Sequence, residues 1–352
     1  MNNLNLSKSI SELDRNKILT EFLNSTLVEY TNELDALIIK INQNKSSINN
    51  NLFSKLKQMN DSIVLGAETT SRNIENPILL KKFKEFFRGT RPEYFYSSEI
   101  MEKGLKKLRG YPGDFEMMEY VYNNKVCSSS ILGKYFDKYF IENAYAEAVR
   151  GRKDKMVELL IKFIDNSNTT GLSILNLPCG PARDVYELIE KGFKNKNSIS
   201  ITCVDQDTDA LAFANKNISF SPSNLRINFK QGNILNYIRY PEKNRAELGV
   251  FNLVYSVGLA DYLPDKLLKN MIKFSFGLLR KDGRLIFAFK IEDKDPFAPL
   301  PPKWFCDWEF VPRNLNASKK IISESGIENF ELEKEEFEKS GKIVFLTVIK
   351  TK

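Results

Sequence analysis

The residues best placed for chemistry stand at the ends of two neighbouring apolar runs. The run Ser173–Leu177 breaks at Pro178-Cys179-Gly180, and the run Ser198–Asp205 ends on a carboxylate. In a parallel sheet, a glycine turn that leads into a helix brings backbone N–H groups to the edge where the neighbouring strand ends. A carboxylate there can accept both hydroxyl groups of a ribose. Asp205 is therefore a candidate ribose-binding acid, unless Gly180 is only a loop glycine and Asp205 only a strand-end cap.

The absence of histidine from the 352-residue chain excludes several kinds of catalysis. Ser-His-Asp and Cys-His nucleophile systems, an imidazole base and histidine-ligated metals all require it. The four cysteines are scattered and form no C-x-x-C pair, which favours buried free thiols over a zinc site or a disulfide framework. We therefore predict no metal, and any catalysis must rely on carboxylates, tyrosine, lysine or positioning.

The charge pattern and the hydropathy of the chain bear on its cellular location and its binding partners. The net charge of +7 comes from interleaved Lys and Glu, which favours a solvated surface over nucleic-acid binding. No apolar stretch is long enough for a membrane span, and the start Met1–Asn5 lacks a signal-peptide pattern. These features predict a soluble cytoplasmic protein that does not bind nucleic acid.

The sequence pattern changes at Gly171 from mostly helical to alternating strands and helices. The elements that would position Asp205 begin there. Apolar residues at helical spacing predict a helical N-terminal domain over 1–165, interrupted by an Asn-rich loop from Asn42 to Asn51. Beyond it, strands and helices alternate, which predicts a parallel α/β sheet in a second domain over 166–352. The predicted strands are Ser173–Leu177, Ser198–Asp205, Arg226–Lys230, Phe251–Ser256 and Arg284–Phe289, and the predicted helices are Asp184–Lys191, Asp209–Asn217 and Asp265–Leu279.

The C-terminal tail departs from an ordinary dinucleotide fold. Two strand-like runs, Phe330–Lys334 and Lys342–Lys350, flank the turn-forming Lys339-Ser340-Gly341, which predicts a final hairpin and an antiparallel strand inserted at the end of the sheet. Over residues 171–352 this arrangement resembles the class I S-adenosylmethionine-dependent methyltransferases. The resemblance implies a Rossmann-like, seven-stranded sheet, parallel with an antiparallel last strand, and S-adenosyl-L-methionine as the cofactor.

The resemblance also implies which residues bind the cofactor, because in that family the loops after the first four strands surround it. The matching positions are Cys179, Gly180 and Pro181 after the first strand, Asp205 and Gln206 after the second, Gly232, Asn233 and Ile234 after the third, and Ser256, Val257 and Gly258 after the fourth. Asn233 could accept a hydrogen bond from the adenine amino group or could simply cap a helix.

The first loop departs from the family's pattern. It lacks the usual series of glycines, and Asn176 stands where many members carry an acid. A nicotinamide dinucleotide needs the close backbone approach to a pyrophosphate that G-x-G-x-x-G permits. The sulfonium cofactor has no phosphate, so this loop favours it over a dinucleotide.

Four longer sequence segments, called phrases below, restrict the resemblance to one group of methyltransferases. They are Leu108–Met118, Ala146–Arg152, Val254–Asp265 and Asp307–Arg313, and they are similar to a bacterial group related to the methyltransferase that makes 3-hydroxypalmitic acid methyl ester. This resemblance implies methylation of the carboxyl group of a small apolar or fatty-acid-like molecule. The chain departs from the group at Lys290–Phe297, which replaces a short Gly-Asn-Phe segment beside the expected acceptor site.

Several residues inside these phrases are candidates for the acceptor side. A carboxylate is already deprotonated at neutral pH and needs no base, whereas an amine or phenol would use Asp261, Tyr262 or Glu309 as the catalytic group. Arg109 and Arg313 could pair with a substrate carboxylate, although Arg313 could equally tie down its own loop. Tyr111 and Trp308 complete the predicted substrate-binding set, with Trp308 alternatively serving to anchor its loop.

Two other functions remain open at this point. A protein or nucleic-acid methyltransferase is one, although the Asn/Asp-Pro-Pro-Tyr/Phe signature of amino-methylating DNA enzymes is absent and Ser256–Leu259 occupies its place. The other is a non-catalytic protein that keeps the cofactor pocket for sensing or scaffolding, which the altered segment 290–303 would permit. The sequence predicts no oligomeric state and does not say whether residues 1–75 contribute to the site.

Overall fold

The computed structural model describes residues 17–44, 47–291 and 294–352. It divides into two compact units. The first comprises the described residues up to Ala146 together with Pro296–Glu309, and the second comprises the described residues of Glu147–Asp295 and of Phe310–Lys352. The chain therefore leaves the second unit after Asp295 and returns to it at Phe310.

The first unit is helical. Its helices within the described residues are α1 Lys17–Glu21, continued by a π-helical turn Phe22–Thr26, then α2 Leu27–Gln43, α3 Asn50–Ser71, α4 Pro77–Arg88, α5 Pro92–Phe95, α6 Glu99–Lys106, α7 Phe115–Asn123 and α8 Ile131–Ile141. The returning segment adds a short helix, Leu300–Cys306. Several of these helices begin at a polar cap: the side chain of Asn49, for example, accepts from the N–H groups of Asn51 and Leu52. The predicted loop from Asn42 to Asn51 was too long, because α2 extends to Gln43 and α3 already begins at Asn50.

Aromatic side chains fill the core of the first unit. The ring of Trp304 lies edge-on to Phe83 and Phe87, with 5.3 Å between ring centroids in both pairs. Its indole N–H donates to Glu68 Oε2 over 3.1 Å, so the polar end of this fully buried side chain is satisfied. The returning segment is therefore part of the core of this unit.

The second unit is built on one mixed sheet. Its strands are β1 Leu172–Asn176, β2 Ile199–Asp205, β3 Leu225–Gln231, β4 Phe251–Ser256, β5 Leu279–Lys290, β6 Phe330–Leu332, β7 Glu336–Phe337 and β8 Ile343–Lys350. Its helices are α9 Ala144–Asp165, α10 Arg183–Lys191, α11 Thr208–Asn217, α12 Ile234–Arg239, α13 Pro241–Leu248, α14 Asp265–Gly277 and α16 Leu315–Ser323. The number α15 belongs to Leu300–Cys306, the short helix of the first unit.

The strand order is β3-β2-β1-β4-β5-β8-β6. The first five strands in that order are parallel, and β8 runs antiparallel between β5 and β6. Both β6 and β7 pair with β8, so they are two pieces of one edge strand interrupted at 333–335. The predicted fold class, an α/β sheet with an antiparallel strand inserted at its end and a helical N-terminal region, is confirmed.

Both faces of the sheet are covered, as the near-continuous apolar strands predict. Leu175, Val254 and Leu285 face a cluster that contains Leu268 and Met271 of α14. Alternate residues face the opposite cluster, which combines Ile174, Leu253 and Ile286 with apolar residues of α9, α10 and α11. Because side chains alternate along a strand, Lys290 at the end of β5 shares the face of Ile286, which is the face that α9 covers.

The strand order fixes where a ligand belongs. From β1 the chain continues to β2 and β3 on one side of the sheet, and from β4 it continues to β5 on the other side. The connections therefore diverge between β1 and β4, which are neighbours in the sheet. In open α/β sheets such a switch point leaves a crevice outside the carboxyl ends of the strands. The loops after Asn176 and Ser256 flank that crevice. Among the described helices, none has both the length and the apolarity needed to cross a membrane.

Candidate cofactor-binding site

The loop after β1 bends at Gly180. This glycine has φ +52°, and its N–H donates to Asp205 Oδ2 over 2.7 Å. The preceding Cys179 donates its N–H to the carbonyl of Val204 over 2.9 Å, so the loop is tied to the end of β2 at two points. A Cβ on Gly180 would have no atom within 4 Å, which means that this part of the loop borders open space. Pro181 follows the bend and is buried.

Asp205 ends β2 beside this loop and is only 5% exposed. Its Oδ1 accepts from the N–H of Asp207 over 3.0 Å, while Oδ2 accepts from Gly180. Burial raises the pKa of this carboxyl group, and the backbone donors, which favour the charged form, oppose that shift. An ionised carboxylate has about four acceptor positions. The carboxylate therefore retains acceptor capacity beyond its bonds to the backbone.

A second carboxylate, that of Asp184, lies behind the loop in the first turn of α10. The amide Nδ2 of Asn176 lies 3.4 Å from both of its oxygens. Burial raises the pKa of Asp184, and contacts with the side chains of Tyr255 and Asn176 oppose the increase. The side chain of Asn176, at the end of β1, thus contacts a carboxylate of the following helix. The sequence analysis did not predict Asp184 as a residue of the site. The feature that could have indicated it is an acidic residue in the first turn of an amphipathic helix.

The loop after β3 holds the predicted adenine-side residues. The Oδ1 atom of Asn233 accepts from the N–H groups of Leu235 and Asn236 over 2.8 and 3.3 Å, and so caps α12. Its Nδ2 donates to Gln206 Oε1 over 2.6 Å, which joins the two predicted loops. Both ends of this side chain already have protein partners. The structure thus places Asn233 as the helix cap that the sequence left open as an alternative, with its neighbour Ile234 as the first helical residue.

Gly232 permits close packing in the same loop. A Cβ at this position would overlap the hydroxyl group of Tyr237 and lie 2.8 Å from Cγ1 of Val204. The Tyr237 hydroxyl is buried, and no hydrogen-bond partner for it occurs in the described ranges. The glycine therefore brings the β3 loop against the end of β2.

The loop after β4 lies on the other side of the crevice. The hydroxyl Oγ of Ser256 is buried and has no hydrogen-bond partner among the described residues. Val257 is partly exposed, and Gly258 follows with φ +103°. The guanidinium of Arg152 packs against this glycine: a Cβ there would lie 2.9 Å from Nη1 and 3.1 Å from Nη2. Only a glycine accommodates both the backbone conformation and the guanidinium.

The 3₁₀ turn Ala260–Tyr262 carries the two residues predicted to be catalytic. Asp261 is 4% exposed, and its Oδ1 accepts from the backbone N–H of Lys290 over 2.9 Å. Tyr262 is partly buried and packs against Phe310 with 5.5 Å between ring centroids. Asp261 therefore connects the turn to the end of β5.

Arg313 is 4% exposed and forms hydrogen bonds with the backbone of this turn. Its Nη1 donates to the carbonyl of Ala260 over 2.8 Å and its Nη2 to that of Leu263 over 2.6 Å. It also forms an ion pair with Asp265 at 2.8 Å. The structure thus gives Arg313 the partners of a residue that ties down its own loop.

The other predicted acceptor residues belong to the first unit. Arg109 pairs with Glu116 at 3.1 Å, and its guanidinium carbon lies 4.5 Å from the ring centroid of Phe115. Arg109 lines a polar cleft there with Lys103 and Asp114, close in sequence to the partly exposed Tyr111. Trp308 is 5% exposed and stacks on Phe140. None of these contacts assigns a ligand, and the substrate roles remain predictions.

The comparison with protein families identifies one match. Residues 84–239, less than half of the chain, match the model of a family described as "Putative methyltransferase". The matched region includes Gly180, Asp205 and Asn233. No curated protein matches the chain significantly in sequence.

Several solved structures show a distant structural likeness to the chain. A possible exported protein from Bordetella parapertussis is 15% identical and superposes with a TM-score of 0.49 over 68% of this chain and 80% of its own. Magnesium protoporphyrin IX methyltransferase from Synechocystis PCC 6803 with bound S-adenosylhomocysteine is 12% identical, with a TM-score of 0.43 over 59% and 88%. The N-methyltransferase NodS from Bradyrhizobium japonicum WM9 is 13% identical, with a TM-score of 0.39 over 60% and 90%. Likenesses this distant carry no information about the reaction or the substrate.

Proposed function

We propose that this protein is an S-adenosylmethionine-dependent methyltransferase that methylates the carboxyl group of a small apolar or fatty-acid-like molecule. The observation that carries the proposal is the Asp205 carboxylate, held by two backbone N–H groups at the tip of β2 and beside the switch point of the sheet. The family match over residues 84–239 supports the same class of enzyme.

The residues at this edge fit an adenosyl ligand in three respects. Asp205 has acceptor capacity left for a ribose diol. The bend at Gly180 borders open space, so a ligand can approach its backbone closely. The buried Ser256 hydroxyl lacks a partner among the described residues, and buried polar groups normally have one. A ligand in the crevice would contact the loops that carry all three.

When bound, the cofactor would be held at its ribose by Asp205 and would supply an electrophilic methyl group on a cationic sulfur, which a carboxylate oxygen could accept while the sulfur keeps the electron pair of its former bond. The protein's part is to hold the two reactants in line and to exclude water. We propose that Asp205 fixes the ribose and that the Gly180 and Gly258 loops close around the reacting centre. A carboxylate acceptor requires no base, which agrees with a chain without histidine.

Isothermal titration calorimetry with S-adenosylmethionine and S-adenosylhomocysteine tests the proposal. In Asp205→Asn, the loss of a buried charged hydrogen-bonding group should weaken both affinities by at least roughly 30-fold. Asp209→Asn is the matched control, because it removes the same charge from an exposed position in the first turn of α11. The control should bind like the unmodified protein, and urea unfolding should show that all three proteins are folded.

Absence of binding by the unmodified protein would refute the proposal. Equal binding by Asp205→Asn and the control would also refute it, because the ribose would then lie elsewhere. Retained binding by the control together with loss in Asp205→Asn would support it.

A further inference from the structure

Arg152 is a buried guanidinium group beside the loop that follows β4. It lies on α9 and is 5% exposed. A Cβ on Gly258 would lie 2.9 Å from its Nη1 and 3.1 Å from its Nη2, so both terminal nitrogens lie against the backbone of this loop. Its Nε atom is buried and has no hydrogen-bond partner in the part of the chain that the structure describes. Burial of a guanidinium is costly unless a group of opposite charge pairs with it.

Asp184 places a carboxylate beside the end of the neighbouring strand, β1. It lies in the first turn of α10, which follows the loop that bends at Gly180. The amide Nδ2 of Asn176 lies 3.4 Å from both of its oxygens, and its side chain also contacts that of Tyr255. These hydrogen-bonding groups are neutral. Burial raises the pKa of Asp184, so a cation placed beside it would favour its charged form.

The two charged groups flank the switch-point crevice. Asp184 contacts Tyr255 near the end of β4, and Arg152 packs against Gly258 in the loop that follows the same strand. In the sheet, β1 lies between β2 and β4. A ligand whose ribose is bound by Asp205, at the tip of β2, must therefore cross the end of β1 to reach the β4 loop. In S-adenosylmethionine, the part beyond the ribose carries the sulfur and ends in an α-amino acid, with an ammonium group and a carboxylate on one carbon.

We propose that Asp184 and Arg152 bind the α-amino-acid end of the cofactor, Asp184 through the ammonium group and Arg152 through the carboxylate. A planar guanidinium can bind a carboxylate with two parallel hydrogen bonds. An ionised carboxylate accepts hydrogen bonds from the N–H groups of an ammonium. This assignment rests on the proposed function and adds a second anchor to it. Asp205 fixes the sugar, this pair fixes the opposite end, and the sulfur between them is thereby positioned.

The sequence did not assign either residue to the cofactor. Arg152 ends the phrase Ala146–Arg152, and Asp184 follows the first predicted loop. If both bind the amino-acid end, each should respond to a different part of the ligand. S-Adenosylhomocysteine carries both the ammonium group and the carboxylate, decarboxylated S-adenosylmethionine keeps the amine but lacks the carboxylate, and 5′-methylthioadenosine lacks both. Arg152 should therefore contribute to binding of the first ligand alone, and Asp184 to binding of the first two.

Isothermal titration calorimetry with these three ligands tests the Arg152 contact. In Arg152→Gln, the affinity for S-adenosylhomocysteine should fall by at least roughly 30-fold, because a buried charged partner is lost. The affinities for decarboxylated S-adenosylmethionine and 5′-methylthioadenosine should not fall. Arg152→Lys keeps the charge but loses the planar fork, so it should show a smaller loss. The lysine variant replaces the glutamine variant if the latter does not fold.

The same titrations test the Asp184 contact. Asp184→Asn removes the charge with little change in volume, so it should weaken binding of S-adenosylhomocysteine and decarboxylated S-adenosylmethionine by at least roughly tenfold. Its affinity for 5′-methylthioadenosine should stay unchanged. Lys162→Gln and Glu190→Gln are the matched controls, because Lys162 is 59% exposed on α9 and Glu190 is exposed on α10. Both controls should bind all three ligands like the unmodified protein.

Binding of 5′-methylthioadenosine reports separately on the adenosine part of the site. If the unmodified protein binds S-adenosylhomocysteine and both variants bind it like the controls, the assignment is refuted while the proposed function stands. Equal affinity of the unmodified protein for S-adenosylhomocysteine and 5′-methylthioadenosine would also refute the assignment. A loss in one variant alone would refute the role of the other residue. If the unmodified protein binds none of the three ligands, the proposed function is refuted together with the assignment.

Discussion

The charge of Lys290 should make the stability of the protein depend on pH in a way that one substitution removes. Lys290 is 7% exposed, and burial lowers its pKa well below the ordinary value of about 10.4, while the charge of Asp261 partly offsets this. Between the lowered pKa and the ordinary one, the unfolded chain binds a proton at this position that the folded chain does not. In that window the free energy of unfolding must rise with pH.

The size of the effect follows from the linkage of one proton. The slope contributed by Lys290 reaches about 1.4 kcal/mol per pH unit inside the window. This stability is fully present above the ordinary lysine pKa and is lost as the pH falls through the lowered one. Lys290→Met removes the titrating group while keeping much of its volume, so the difference between the two proteins should vary with pH by that slope.

Urea unfolding followed by far-ultraviolet circular dichroism, at a series of pH values from neutral to alkaline, measures the difference. Lys162→Met is the control, because it removes an exposed lysine from α9 and should leave the pH dependence as it is. Arg152→Gln should narrow the window by raising its lower edge, since Arg152 contributes to the lowered pKa of the folded protein. Parallel pH profiles for the unmodified protein and Lys290→Met would refute the view that burial lowers the pKa of Lys290.

Two further substitutions test the loops that frame the site, both by urea unfolding. Gly232→Ala should destabilise the protein by about 1–3 kcal/mol, because the new methyl group overlaps the Tyr237 hydroxyl. Tyr237→Phe alone should change the stability little or increase it, since that hydroxyl has no partner among the described residues. Arg313→Gln should cost about 2–4 kcal/mol, because it strands the buried carbonyls of Ala260 and Leu263. Unchanged stability with weaker acid binding would instead make Arg313 a substrate residue.

The sheet could be predicted from the sequence because its strands are apolar runs with turn residues between them. The strand Phe251–Ser256 matches its prediction at both ends, and Ser198–Asp205 differs by one residue. The start of β5 was missed: it begins at Leu279, because Arg280–Gly283 were too polar to predict a strand. The edge strand was predicted over Phe330–Lys334, but it comprises Phe330–Leu332 and a second piece, Glu336–Phe337, that was not predicted.

The candidate site was predicted where it depends on chain order and missed where it depends on packing. Asp205 and Gly180 were found because Asp205 ends its strand and Gly180 lies in the turn after the neighbouring strand, and the structure joins them by one hydrogen bond. Arg152 and Gly258 lie far apart in sequence, and nothing in the local pattern of Arg152 indicates burial. Only the packing of α9 against the loop after β4 reveals their contact. The same holds for Asp184, whose pairing with Asn176 spans the first loop.

A crystal structure with S-adenosylhomocysteine bound is the most direct measurement of the proposed cofactor site. We expect the ligand in the crevice between the carboxyl ends of β1 and β4, with both ribose hydroxyl groups within hydrogen-bonding distance of the Asp205 carboxylate. A ligand bound at any other part of the protein, or a ribose that does not contact Asp205, would contradict the proposed site.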